Sequence, residues 1–285
     1  MDIDGTLANL DGYVPPSAIT ACREARRQGH LLYVCSGRPR IHISSKILAI
    51  GFDGAASAGG AHIETGDTSG GAPYQGKVIF DAVMPVELIK QISGYLDKWQ
   101  CGFSLERNDE TLANWYHISH WERILKQITD LGKTDDDLAG HINNLKKNPL
   151  PDNPEDPGNV CFYEGISKIM FVVSDKISFA DIEQRFGRVC EIFYTPYFGD
   201  ECGEIGSLGV HKGLALKKIA EYHGIPLSET IVFGDSDNDR LMIECAGIGV
   251  AMGNATDALK AIADDTTSSL DDNGLFNGFK KLGLM

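Results

Sequence analysis

Two short apolar runs, near opposite ends of the chain, constrain the fold more than any other feature. Leu31-Leu32-Tyr33-Val34-Cys35 breaks off at Ser36-Gly37-Arg38-Pro39, and Thr230-Ile231-Val232-Phe233 breaks off at Gly234-Asp235-Ser236-Asp237-Asn238-Asp239. Runs this short and this uniformly apolar read as strands buried on both faces, the pattern of a parallel sheet wrapped by helices. Helical signals flank them. Pro15-Pro16-Ser17 followed by an Ala- and Arg-rich stretch predicts a Ser-capped helix stopping at Gly29. Ile43, Ile47 and Ile50 recur at helical spacing before Gly51, and Leu214, Leu216, Ile219 and Ala220 predict a helix ending near Gly224. Ala55–Ala58 and Ile248–Met252 add strands, a helix through Leu241, Met242 and Cys245 lies between, and two short helices finish the chain. Such alternation predicts an α/β fold with a doubly wound, Rossmann-like parallel sheet.

The middle of the chain has a different rhythm. Val86, Leu88, Ile89, Ile92, Tyr95, Leu96 and Trp99 predict one long amphipathic helix, and Trp121, Ile124, Leu125, Ile128 and Leu131 another. All three tryptophans, 99, 115 and 121, fall here. Ile169–Val173 and Val189–Tyr194 read as strands, and 148–158, with four prolines, reads as a loop. A chain of 285 residues has room for about two domains. The expectation is a discontinuous core, 1–82 with 205–285, carrying an inserted α/β cap over 83–204.

Charge narrows the partners. With 26 Lys and Arg against 40 Asp and Glu, the net charge is −14, a poor match for nucleic acid or an anionic membrane. No apolar stretch approaches a bilayer span, and the start Met1-Asp2-Ile3-Asp4 does not resemble a signal peptide. Seven scattered cysteines without a C-x-x-C pair argue for reduced core residues. The expected location is the cytoplasm.

Four elements fit one site. Asp2-Ile3-Asp4-Gly5-Thr6-Leu7 sets two carboxylates two residues apart, followed by a glycine that lets the chain turn. Ser36-Gly37-Arg38 and Gly234–Asp239 each stand where a strand stops, and Lys212 stands at the mouth of a helix. In an open parallel sheet, residues just past the carboxyl ends of neighbouring strands meet in one crevice. Clustered carboxylates, a lysine and a hydroxyl there are the parts of a Mg²⁺-assisted phosphoryl-transfer site, since Mg²⁺ prefers oxygen ligands and shared substrate phosphate. Each element alone has a plainer reading: Asp in a turn, a solvated lysine, or an acidic loop whose Asp237 caps the next helix.

As a set, these motifs resemble the haloacid dehalogenase-like hydrolases, in particular the Cof-type branch with a C2B-type α/β cap. The match covers 2–60 and roughly 204–285, including Gly249-Val250-Ala251-Met252-Gly253-Asn254-Ala255, Ala263-Asp264 and Asp272-Asn273-Gly274. The resemblance implies a phosphatase acting on small phosphate monoesters, sugar phosphates or similar metabolites. Asp2 would be the nucleophile and Asp4 the general acid and base. Mg²⁺ would be held by the Asp2 carboxylate, the Asp4 main-chain carbonyl and Asp235, with Asp239 in support. Ile3, Ser36, Gly37 and Lys212 would bind the phosphoryl group, and Asn238 would reach phosphate or substrate.

The chain departs from that pattern in one place. Only Met1 precedes Asp2, where the resembled family has an apolar strand of about five residues, so a few further N-terminal residues are expected in the natural chain. Two other functions use similar parts. A phosphomutase would need basic cap residues (Arg107, Arg123, Lys126, Lys146, Lys147) for a second phosphate, and a non-catalytic phosphometabolite-binding protein would tolerate the missing strand. Substrate choice is expected to lie in the cap, at Trp115, Tyr116, His117 and Trp121 and in the stretch 159–168. His117 and His120 are expected to line the cap, His211 to stand near substrate, and the acidic run 134–137 to be a solvated loop or helix start.

Overall fold

The computed structural model describes residues 1–9, 12–70, 76–130, 132, 136–151, 161–195 and 201–285. They form two compact units, Met1–Asp81 with Val210–Met285, and Ala82–Gly209. The expected boundary at 205 falls inside the strand Cys202–Ser207, which is paired within the second unit, and that unit runs on to Gly209.

The first unit opens with helix α1 (Pro16–Arg27), strand β1 (Tyr33–Cys35), the single turn α2 (Ser45–Leu48), β2 (Gly54–Ser57), β3 (His62–Thr65) and β4 (Lys77–Asp81). Ser17 does not cap α1. Pro15 precedes the helix without a side-chain cap, and the Ser17 hydroxyl donates to Asn273 Oδ1 at 2.6 Å. β1 and β2 are parallel, as expected, while β3 and β4 extend the sheet antiparallel. Glycine is required at 54, where a Cβ would stand 2.2 Å from the Tyr33 ring and 2.3 Å from the Glu64 carbonyl.

The second unit contains α3 (Val86–Lys98), β5 (Gly102–Glu106), β6 (Thr111–Ala113), α4 (Trp115–Asp130), α5 (Asp136–Lys147), β7 (Lys168–Val172), α6 (Phe179–Phe186), β8 (Cys190–Tyr194) and β9 (Cys202–Ser207). Its strands run in the order β6-β5-β7-β9-β8, every pair antiparallel. Alternation along the strands gives the sheet two faces. Phe103, Leu105, Ile169, Phe171 and Ile205 pack with Ile89, Ile92 and Leu96 of α3 and with Ile182 and Phe186 of α6. Ala113 and Met170 pack with α4 and α5 through Ile118, Trp121, Ile124, Ile142 and Leu145. Helix α4 begins earlier than its apolar spacing predicts because Asn114 caps it, Oδ1 accepting from His117 N at 3.0 Å. Most of the proline-rich 148–158, and residues 134–135 of the acidic run, lie outside the described residues.

His117 is fully buried, its Nε2 accepting from Trp121 Nε1 at 2.8 Å. Burial, with His141 and His120 nearby, pushes its pKa down to about 3. The unfolded chain therefore binds a proton that the folded cap refuses. That stability is complete above pH 6.5 and drains away as pH falls toward 3, about 2 kcal/mol being gone at pH 5. All three tryptophans lie in this unit, so their fluorescence reports its melting. The transition is expected to drop by about 6–10 °C between pH 7.5 and pH 5, and His117→Leu is expected to flatten that dependence.

The chain then returns to the first unit with α7 (Lys212–His223), β10 (Ile231–Gly234), α8 (Arg240–Cys245), β11 (Ile248–Ala251), α9 (Asp257–Ile262), β12 (Asp265–Thr266) and α10 (Gly274–Lys281). β10, β11 and β12 are parallel. Gly224 stops α7 in the left-handed conformation at φ +67°.

Between β1 and β10 runs the start of the chain. Met1 N donates to the Tyr33 carbonyl at 2.9 Å, the Met1 carbonyl accepts from Cys35 N at 2.8 Å, and Asp2 N donates to the Phe233 carbonyl at 3.0 Å. Met1 is therefore tied to β1 and Asp2 to β10 by backbone hydrogen bonds. A cavity of about 370 Å³ lies next to Met1, bordered by Leu32, Tyr33, Ile231, Val232 and Phe279. Ile3, Leu7, Phe52, Val232, Phe233 and Val250 form the core around this centre.

No helix among the described residues is long and apolar enough to cross a membrane. All seven cysteines are free, five of them buried, with Cys161 exposed and Cys245 partly so.

Candidate active site

The site is built where β1, β10 and the start of the chain end side by side. Asp2 is buried. The Ile3 carbonyl accepts from the N–H groups of Thr6, Leu7 and Ala8, folding the chain back at once. Gly5 makes that turn with φ +81°, and a Cβ there would stand 2.2 Å from Asp235 Oδ2. Gly5→Ala combines left-handed strain with displacement of Asp235. It is expected to lower kcat/KM at least about 100-fold, by misplacing reacting groups, and to cost about 1–3 kcal/mol of stability. Steady-state assays across a Mg²⁺ titration, alongside thermal melts, check both.

Lys212 opens α7, and its Nζ donates to Asp2 Oδ1 at 2.6 Å, Asp239 Oδ1 at 2.6 Å and Asn238 Oδ1 at 2.8 Å. Burial disfavours its charge, but Asp2 and Asp239 outweigh that and hold its pKa well above the usual lysine range. Burial likewise pushes the Asp2 carboxyl well above its ordinary range, Lys212 opposing and the neighbouring carboxylates adding to it. Asp235 is pushed up to about 6 by burial and then by Asp239, with the Thr6 hydroxyl and Lys212 pulling the other way.

Asp239 is fully buried. Its Oδ2 accepts from the N–H groups of Asp235 and Ser236 at 3.0 and 3.2 Å. It therefore holds the loop after β10 in shape, while Asp237, expected to cap the next helix, lies inside the short turn Asp237–Asp239 and its Oδ1 accepts from the Thr256 hydroxyl at 3.1 Å. Asn238 Oδ1 also accepts from Ser236 Oγ at 3.0 Å.

Ser36 follows β1 directly and is completely buried, its N–H donating to the Ala56 carbonyl at 2.9 Å and its Oγ accepting from Arg38 N at 3.1 Å. Gly37 follows it directly. Ile3 turns its side chain into the core, so any contact it makes with a phosphate is through its backbone. His211, expected near substrate, caps α7, its Nδ1 accepting from Leu214 N at 3.2 Å.

The sequence elements thus meet as expected, Asp2, Lys212, Asn238 and Asp239 in direct contact and Asp235 beside them. Three further contacts were not legible. The Arg38 guanidinium grips both oxygens of Asp4, Nε to Oδ2 at 2.9 Å and Nη2 to Oδ1 at 2.5 Å. The Thr6 hydroxyl donates to Asp235 Oδ1 at 2.8 Å. Asn254 Nδ2 donates to the Gly5 carbonyl at 2.8 Å. The one available signal was their position, directly beside motif residues.

One carboxylate oxygen each from Asp2, Asp235 and Asp239 lies within 4.8 Å of the others. Four carboxyl groups, counting Asp4, face the two cations Lys212 and Arg38. A hard, all-oxygen donor set short of positive charge suits Mg²⁺.

Residues 1–279 match the haloacid dehalogenase-like hydrolase family, and the chain belongs to it. It is similar to 5-amino-6-(5-phospho-D-ribitylamino)uracil phosphatase YitU of Bacillus subtilis, 25% identical over 99% of this chain and 95% of that protein. Pyridoxal phosphate phosphatase YbhA of Escherichia coli is 26% identical over 95% of this chain and 94% of its own. A solved haloacid dehalogenase-like hydrolase from B. subtilis shares the fold with a TM-score of 0.78, at 24% identity over 99% of this chain and 98% of that one. The core is the Rossmann-like core of that family with an inserted cap, and the chain is a hydrolase of the phosphatase kind. It is a phosphoryl-transfer enzyme for small phosphorylated substrates, working through aspartate.

Proposed function

We propose that the enzyme is a Mg²⁺-dependent phosphatase that hydrolyses small phosphate monoesters, sugar phosphates or similar metabolites, through an aspartyl-phosphate at Asp2. The observation that carries the reading is the buried Asp2 carboxylate, held 2.6 Å from Lys212 Nζ beside Asp235 and Asp239, with a second carboxylate, Asp4, two residues away. Asp2 and Asp235, with the Asp4 carbonyl, would hold Mg²⁺, and Asp239 would support them; when bound, the ion neutralises charge on the phosphoryl oxygens.

An Asp2 oxygen forms a bond to phosphorus as the ester P–O bond breaks, and Asp4 gives the departing oxygen its proton. Asp4 then takes a proton from water as the water oxygen attacks phosphorus and the bond to Asp2 breaks, releasing inorganic phosphate. Lys212, the Ser36 hydroxyl and the Gly37 N–H hold the phosphoryl oxygens, with the Ile3 backbone and Asn238 at their side. Uncatalysed monoester hydrolysis is so slow that these groups together must supply on the order of 20 kcal/mol.

The names of the relatives support a small monoester, since YitU and YbhA are named for phosphorylated small molecules. Three of the five basic cap residues that a phosphomutase would use are engaged within the cap. Arg107 pairs with Glu110, Arg123 lies against His120, and Lys146 pairs with Glu122. Free, mostly buried cysteines agree with a reducing cytoplasm.

Within the cap, selection of the substrate's other end falls to Trp115 and Tyr116, which are 58% and 42% exposed, rather than to the buried His117 and Trp121. The five-stranded antiparallel sheet with its helices is the basis for reading the cap as C2B-type. Turnover of para-nitrophenyl phosphate with Mg²⁺ and its loss with EDTA test the chemistry. A panel of phosphorylated sugars, nucleotides and cofactors, run on wild type, Trp115→Ala and Tyr116→Ala, tests selection. An unchanged preference order in both variants would place it elsewhere.

A further inference from the structure

We infer that Arg38 is a positioning residue for Asp4, holding that carboxylate where it can protonate the leaving oxygen. The inference rests on the reading of Asp4 as general acid and base. Both Asp4 oxygens accept from one guanidinium, at 2.9 and 2.5 Å, across 34 residues of sequence. A planar fork engaging both oxygens fixes the rotation of a carboxylate as well as its place, which a single-point donor cannot do.

Arg38 is itself held firmly. Its N–H donates to Ser36 Oγ at 3.1 Å, and its carbonyl accepts from Ala58 N at 2.7 Å. Gly59 N donates to the Ser36 carbonyl at 3.0 Å, and Arg38 Nη1 reaches the His42 carbonyl at 3.4 Å. One tripeptide, Ser36-Gly37-Arg38, thereby links the hydroxyl proposed to hold the phosphoryl group to the grip on Asp4. Any backbone shift there moves both.

In the first chemical step, Asp4 passes its proton to the ester oxygen as the P–O bond breaks, and its carboxylate is restored. One Arg38 N–H···O bond persists while the other oxygen carries the proton. Without the fork, the carboxylate rotates freely, and the step that suffers is protonation of the leaving group. Phosphoryl binding, which runs through Lys212, the Ser36 hydroxyl and the Gly37 N–H, makes no use of the Arg38 guanidinium.

The test is the dependence of kcat/KM on the leaving group, since that constant covers only steps up to departure of the alcohol. Wild type, Arg38→Ala, Arg38→Lys, Asp4→Asn and the double variant Asp4→Asn/Arg38→Ala are assayed on an unactivated alkyl ester, glycerol phosphate, and on para-nitrophenyl phosphate, whose leaving group scarcely needs a proton. Melting temperatures check folding. General acid catalysis contributes about 10²–10⁴-fold. Arg38→Ala is therefore expected to lose at least about ten times more on the alkyl ester than on the aryl ester, with Arg38→Lys in between. In the Asp4→Asn background, Arg38→Ala is expected to lose nothing further.

Equal losses on both esters, a rise in KM alone, or losses that add to those of Asp4→Asn would overturn the inference and leave Arg38 as a phosphate ligand or a structural residue. Failure of the underlying reading has a different signature. Asp4→Asn itself would then lose no more on the alkyl ester than on the aryl one.

Discussion

Asp2→Asn is expected to lower kcat by about 10⁴-fold or more, as removal of a covalent nucleophile does elsewhere, while leaving the protein folded. The amide is the same size, and Lys212 keeps Asp239 and Asn238 as partners at 2.6 and 2.8 Å. Lys212→Met makes the contrasting case. Its side chain is 2% exposed and is the cation between Asp2 and Asp239. Removing it leaves two carboxylates buried together without it, which costs about 3–5 kcal/mol. The expected pair of results is an inactive protein with near-native melting for Asp2→Asn, and loss of both activity and stability for Lys212→Met. Circular dichroism melts beside single-turnover assays separate the two. An Asp2→Asn protein that turns over at a hundredth of the wild-type rate would remove Asp2 from the nucleophile's place.

The second large effect runs against intuition, since Asp235→Asn is expected to stabilise the metal-free enzyme while abolishing its activity. Folding raises the Asp235 pKa from 3.8 to about 6. The folded state thus binds the proton more tightly than the unfolded chain, and this group's contribution favours folding at low pH. It is lost as pH rises through 6. At pH 7.5 the ionised carboxylate burdens the metal-free fold by about 1–2 kcal/mol after allowance for partial exposure. Asparagine removes the charge and can still accept from Thr6. A rise in melting temperature of about 3–6 °C at pH 7.5 is expected, shrinking toward pH 5. Mg²⁺ supplies the same relief in the wild type, so it is expected to raise the wild-type melting temperature at pH 7.5 and not that of Asp235→Asn. Below pH 6 a proton competes for the site, and apparent Mg²⁺ affinity is expected to fall about tenfold per pH unit. A destabilised Asp235→Asn protein that still responds to Mg²⁺ would contradict the assignment of charge in this site. The trade is one found where function holds a site away from its stability optimum.

The core was legible because its central strands are short, apolar and buried on both faces, so that periodicity and glycine breaks coincide with their ends. The elements that escaped are those whose residues look like turns. β2 is legible over Ala55–Ala58, and what escaped there is its first residue, Gly54, where a Cβ would stand 2.2 Å from the Tyr33 ring. β9 is Cys-Gly-Glu-Ile-Gly-Ser, and a Cβ at Gly203 would stand 2.5 Å from the Phe171 ring. In both, glycine answers a close approach from a neighbouring strand, information that no local window contains. β5 and β6, and the antiparallel pair β3–β4, likewise depend on partners far along the chain. That Asp2, Lys212, Asp235 and Asp239 come together was legible at the level of residue types at strand ends. Which carboxylate does what was less so, because Asp237 and Asp239 differ only by the direction in which the loop turns them, and Arg38 finds Asp4 only once the sheet has formed.

The central claim, a phosphoryl group carried on Asp2, is tested most directly by trapping it. The enzyme is quenched during turnover of an unactivated phosphate monoester with Mg²⁺ and reduced with labelled borohydride, which converts an acyl phosphate to an alcohol. Peptide mapping then reads the labelled position. Label at residue 2 as homoserine, absent with EDTA and absent in Asp2→Asn, is the expected result. Label at another carboxylate, or none while phosphate release continues at the full rate, would contradict the account.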